Sequence, residues 1–75
     1  MKELLVIIAK SLVDSPEAVT VNEIVGEQSI ILELKVAQED MGKVIGKQGR
    51  IAKSIRTVVK AAAIKENKRV VVEII

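Results

Sequence analysis

From Ser29 to Val36 the chain alternates. Ile30, Leu32, Leu34 and Val36 fall on one side of an extended strand, and Ile31, Glu33 and Lys35 on the other. This period of two, with one strongly apolar side, specifies a strand that buries one face and turns the other to water. Helices must therefore cover the apolar face. A chain of 75 residues is one domain, spanning residues 1–75, and a fold of this size buries only about 60–65% of its unfolded surface. The core has to be rich, and it has to be aliphatic. The sequence contains no Cys, His, Phe, Tyr or Trp, yet 49% of it is hydrophobic, mostly Ile, Val, Leu and Ala. Such a core needs neither a disulfide nor a metal.

The neighbouring segments supply the cover. Lys2 to Val13 reads as a helix with Leu5, Ile8, Ala9 and Leu12 on one face. Asp14-Ser15-Pro16 stops it, because proline disfavours helix at the residue before it. Val6, Ile7 and Val13 lie off the main face, which makes this helix apolar enough to suggest a second covered side. Ala18 to Val25 reads as a strand with Val19, Val21 and Val25 in register, interrupted by Glu23. Gly26-Glu27-Gln28 is a turn, so the two strands form an antiparallel hairpin. Ala37 to Ile45 is a short helical piece opened by Glu39 and Asp40, acids that suit a helix N-terminus. Arg50 to Ile64 is a long helix, with Ile51, Ile55, Val58, Val59 and Ala62 on one side. On this reading Arg50, Lys53, Arg56 and Lys60 gather opposite. Lys68 to Ile75 is the last strand. The order is α-β-β-α-α-β, an α+β fold with a three-stranded sheet and its helices on one face.

The missing residue types exclude several chemistries. Without Cys or His there is no thiol redox centre, haem ligand or zinc finger. The serines have no imidazole to activate them, and the adjacent acids Glu39 and Asp40 point in different directions on a helix. No enzyme is expected, and no cofactor or metal. Without aromatic rings the chain has no base-stacking platform. The longest pure apolar run near the N-terminus is Leu4 to Ala9, shorter than a signal-peptide core. No stretch approaches the roughly 20 apolar residues of a membrane span. The expectation is a soluble, cytoplasmic protein with no membrane partner.

The net charge of +2 hides a segregation. From Met41 through Lys65 there is no acid, and Lys43, Lys47, Arg50, Lys53, Arg56, Lys60 and Lys65 give that window +7. The other fifty residues carry five cations against ten acids, a net −5. Lys and Arg ordinarily sit on solvated helix faces. An acid-free window of this length beside a glycine turn is instead the electrostatic footprint of a polyanion site. Gly46-Lys47-Gln48-Gly49 lies between the two helices, where glycine permits a sharp turn and close backbone approach to a ligand. The following helix N-terminus favours an anion, and Lys47 and Arg50 add charge-assisted contacts. A Walker loop does not fit, since position 41 is Met and position 48 is Gln; a dinucleotide fingerprint would need glycine at Val44.

The stretch Val44-Ile45-Gly46-Lys47-Gln48-Gly49-Arg50, together with the α-β-β-α-α-β order, resembles a KH domain of the type II topology. The longer run Asp40 to Arg50 is similar to the small stand-alone bacterial KH proteins of the KhpA type, and the resemblance covers the whole chain. One position departs from the often-quoted pattern: three residues after the second glycine stands Ala52, not Ile.

The resemblance implies single-stranded RNA binding, in which the Gly-x-x-Gly loop clamps the backbone of about four nucleotides. By position, Gly46, Lys47, Gln48 and Gly49 would hold phosphates and Ile45 would help line the groove. Arg50 and Lys53 would flank it, and Lys43 and Arg56 would add charge. Val44, Ile55 and Val59 belong to the core. The resemblance also implies a homodimer, or pairing with a larger KH-containing RNA-binding protein, and a role as a small RNA chaperone or post-transcriptional regulator. Nothing in the residues distinguishes RNA from single-stranded DNA. The competing reading is a KH-fold interaction or dimerisation module with little RNA binding of its own.

Overall fold

The computed structural model describes all residues, Met1–Ile75, and carries the expected element order. Helix α1 spans Lys2–Leu12, strands β1 and β2 span Thr20–Val25 and Ser29–Lys35, helices α2 and α3 span Met41–Ile45 and Arg50–Ala62, and strand β3 spans Arg69–Ile74. Single turns of 3-10 helix fill the connections, one of them starting at Pro16, whose missing N–H is no loss at a helix start.

The sheet order is β1-β2-β3. β1 and β2 are antiparallel, with Val21 opposite Leu34 and Val25 opposite Ile30. β2 and β3 are parallel, with Ile30 beside Val70 and Leu32 beside Val72. Parallel neighbours require a crossover. Here the crossover contains α2, the glycine turn and α3, and it returns over the apolar face that the alternation in β2 had marked.

The core lies between that face and the helices. Ile30, Leu32 and Leu34 from β2 and Val70 and Val72 from β3 meet Leu5 and Ala9 of α1, Val44 of α2, and Ile55 and Val59 of α3. The buried side of α3 is Ala52, Ile55, Val59 and, just past its end, Ala63. It is rotated from the side expected through Val58 and Ala62, which are exposed. The small residues let the helix approach the sheet closely. Ala52, the position that departs from the often-quoted pattern, is buried on this side.

Two other expectations are corrected. Val25 was expected to face inward with Val21, but it is 58% exposed, because β1 runs out beyond the helices and only its first half is covered. The outer face of the sheet is also less polar than expected. Ile24, Ile31 and Val71 are direct cross-strand neighbours and form an apolar row across all three strands. Beside that row Asn22 Nδ2 donates to Glu33 Oε1 at 2.9 Å.

Leu32 has no exposed surface and sits at the centre of this core. Leu32→Ala is expected to destabilise the fold by about 2–5 kcal/mol, read as a lowered urea midpoint with an unchanged m-value.

Candidate nucleic-acid interface

The bend between α2 and α3 is built from unusual backbone. Gly46 has φ 75° and ψ 174°, a region essentially restricted to glycine. A Cβ there would also lie 2.5 Å from Ile51 Cγ1. Gln48 (φ 57°) and Gly49 (φ 73°) are left-handed, and Gly49 faces open space. The amides of Gly46, Gly49 and Arg50 are satisfied locally, by the carbonyls of Gly42, Gly46 and Lys47. Those of Lys47 and Gln48 have no backbone acceptor. Two free N–H groups, a lysine and a helix N-terminus thus share one exposed turn, and together they can hold an anion.

The start of α2 is fixed by a carboxylate. Asp40 does not cap its own helix, as its position suggested. It is fully buried and accepts hydrogen bonds from the backbone N–H of Ser15 (3.0 Å) and Asp14 (3.3 Å), pinning the α1–β1 connection to α2. Lys43 lies 3.5 Å from Asp40 and donates to Asp14. Burial pushes the Asp40 carboxyl up, but the two amides and the Lys43 charge outweigh it and hold it below the usual carboxylate range. The hydrogen bond to Asp14, opposed by partial desolvation, holds Lys43 above the usual lysine range. Its positive charge is matched by two carboxylates, so of the cations in the acid-free window Lys43 is the one held in salt bridges.

The remaining cations of α3 do not form one stripe. Arg50 and Arg56 are six residues apart, about 120° around a helix. Arg50 donates to Gln48 Oε1 at 3.3 Å and lines an apolar cleft between α1 and α3, beside Leu4, Ile8, Leu12, Ile51 and Val58. Arg56 lies on the other side of α3, where its Nε donates to the Val72 carbonyl on the free edge of β3 at 3.2 Å. There α3 and β3 enclose an open groove of about 670 Å³. Arg56, Lys60, Lys68 and Arg69 line it with Ala63 and Val70, and no acidic residue does. Lys53 is exposed on the same side of α3, between this groove and the glycine turn, and Ile45 is 39% exposed at the end of α2.

Sequence reading grouped Arg56 and Lys60 in the acid-free window but did not point to Lys68, Arg69 or the edge of β3, which line the same groove. The strand order makes β3 an edge strand, and that order is not written in the local pattern of Lys68 to Ile75. Lys68 and Arg69 lie outside the acid-free window, between Glu66 and Glu73, so the local sequence carried no signal for them.

A family model described as KhpA/KhpB, KH domain matches residues 2–74. The chain is 84% identical to the RNA-binding protein KhpA of Clostridium perfringens and 81% identical to that of Clostridium acetobutylicum, in both cases over 75 residues and the full length of each chain. It is 48% identical to the RNA-binding protein KhpA of Aquifex aeolicus over all of this chain and 95% of the relative.

The two glycines are not equivalent. Gly49→Ala meets only backbone strain, about 1–3 kcal/mol; Gly46→Ala adds the overlap with Ile51 and should give the lower urea midpoint. Asp40 makes a second prediction. Its folded pKa lies below the unfolded value of about 3.9, so its contribution is complete above that pH and lost as pH falls through the folded value. Asp40→Asn should be less stable than wild type at neutral pH and lose less on acidification from about pH 5 to pH 2, as followed by denaturant midpoints.

Proposed function

The chain belongs to the KhpA/KhpB family of KH domains, and from that premise we propose that it binds single-stranded RNA and catalyses no reaction. The observation that carries the reading is the exposed turn of Gly46 to Gly49, whose Lys47 and Gln48 amides have no backbone acceptor. Phosphates of the strand sit on these amides and on Lys47. The strand then runs past Lys53 into the groove between α3 and β3. From Arg50 to Lys60 the helix advances about 15 Å, room for a few nucleotides. Ile45 lines the entrance, and Arg56, Lys60, Lys68 and Arg69 line the far end. Arg50 braces the turn through Gln48 and lends its charge from the flank.

Affinity is modest on this account. No ring stacks on a base, and few phosphates are met, so binding falls with salt by a slope of about −0.7 per phosphate neutralised. A modest clamp gains from multivalency. The apolar cleft between α1 and α3, lined by Val58 at 47% exposure, and the 66% exposed Ile7 elsewhere on α1 support a chain that works as a homodimer or beside a larger KH-containing partner. Such a binder serves as an RNA chaperone or post-transcriptional regulator.

Replacing Lys47 and Gln48 together by Asp places two carboxylates where phosphates are held. Binding of a short single-stranded RNA, measured by fluorescence anisotropy, should be lost while the circular dichroism spectrum stays that of wild type. A folded variant of undiminished affinity would move the site elsewhere.

A further inference from the structure

Ile51 stands apart from the other apolar residues of α3. Ala52, Ile55 and Val59 are buried against the sheet, whereas Ile51 is half-buried at the rim of the core. Its side chain fills the space directly behind the first glycine of the turn. A Cβ on Gly46 would lie 2.5 Å from Ile51 Cγ1 and 2.9 Å from both its Cβ and Cδ1. On its other side Ile51 lines the cleft with Leu4, Ile8 and Leu12 of α1. Ile51 therefore stands between the apolar cleft beside α1 and the backbone of the turn. The chemistry suits a strut. A β-branched residue in a helix has one strongly preferred χ1 rotamer, so the bulk behind Gly46 is held in place.

We infer that Ile51 is the positioning residue of the clamp: by packing behind Gly46 it fixes the direction in which the Lys47 and Gln48 amides are presented. This rests on the RNA-binding reading for its consequence, though not for its structural content. The turn has few other restraints. Its internal hydrogen bonds are those of Gly46, Gly49 and Arg50, and Arg50 reaches Gln48 only at 3.3 Å. Gln48 holds a left-handed conformation that an L-residue adopts at a cost, so the surroundings must impose it. Without the strut, the turn would have to be ordered anew each time a strand binds.

The test compares Ile51→Ala, Ile51→Leu and Ile51→Val in the full chain. Valine keeps the Cβ and a γ-carbon behind Gly46. Leucine conserves volume, and so stability, but lacks the β-branch that holds the bulk behind Gly46 in one rotamer. Backbone 15N relaxation of the free protein is the first readout. Order parameters at Lys47, Gln48 and Gly49 should fall in the Ala and Leu variants, stay near wild type in the Val variant, and remain unchanged at Val59 in all three. The second readout is affinity for a short single-stranded RNA. It should drop about tenfold in the Leu variant, the scale of re-ordering the backbone of one residue. The slope of log K against log salt should stay as in wild type, because every cation remains. A Leu variant whose turn is as ordered as wild type overturns the inference. So does an affinity loss no larger than the unfolded fraction explains. If wild type itself binds no RNA, the RNA reading fails and the relaxation data still decide the role of Ile51.

Discussion

The parallel pairing of β2 and β3 is the constraint on which the rest depends. Two parallel neighbours cannot be joined by a tight turn, so the chain between them must leave one end of the sheet and return to the other. In this protein that crossover is α2, the glycine turn and α3. Its helices have to lie on the apolar face, because Ile30, Leu32 and Leu34 alternate toward it. With Val44 of α2 and Val59 of α3 both buried without exposed surface, the bend between the helices has little freedom. It must reverse direction within four residues, and backbone at φ 75° and ψ 174° solves that only with glycine at position 46. The exposed amides of the turn follow from the topology.

Electrostatics is laid over this frame with a clear division. The crossover from Met41 to Lys65 carries cations alone, and the acids lie elsewhere in the chain. The exception in use is Lys43, which turns inward to Asp40 and Asp14 and fastens α2 to the end of α1. Lys47 stands in the turn and Lys65 just past α3, while Arg50, Lys53, Arg56 and Lys60 are exposed on two sides of α3. Those toward β3 share a groove with Lys68 and Arg69, and no carboxylate competes there for a phosphate. On the proposed reading, a backbone polyanion is the ligand for a row of cations leading from a turn of free amides. The absence of aromatic rings limits how tightly bases can be held, without removing the clamp.

Much of this was legible in the sequence. The alternation in Ser29 to Val36 marked the buried face, the apolar positions of α1 marked its cover, and Gly46-x-x-Gly49 marked the bend. What escaped were relations between distant residues. Asp40 read as an N-terminal helix acid, yet its partners Ser15 and Asp14 lie 25 and 26 positions earlier. A single helical wheel grouped Arg50 with Arg56, but which side of α3 meets α1 and which meets β3 is set by packing. Val25 looked buried because its register was right; the helices end before they reach it. Ile51 counted as one more apolar residue of α3, since nothing local reveals that it backs a glycine five positions away.

The central claim is that the free amides of the turn receive the phosphates of a single strand. The most direct measurement is a titration of 15N-labelled protein with a short single-stranded RNA, followed by amide chemical shifts. The account predicts the largest shifts at Lys47 and Gln48, continuing through Lys53 and Lys60 to Val70 and Val72. Shifts confined to the outer face of the sheet, at Ile24, Ile31 and Glu33, with the turn unmoved, would contradict it.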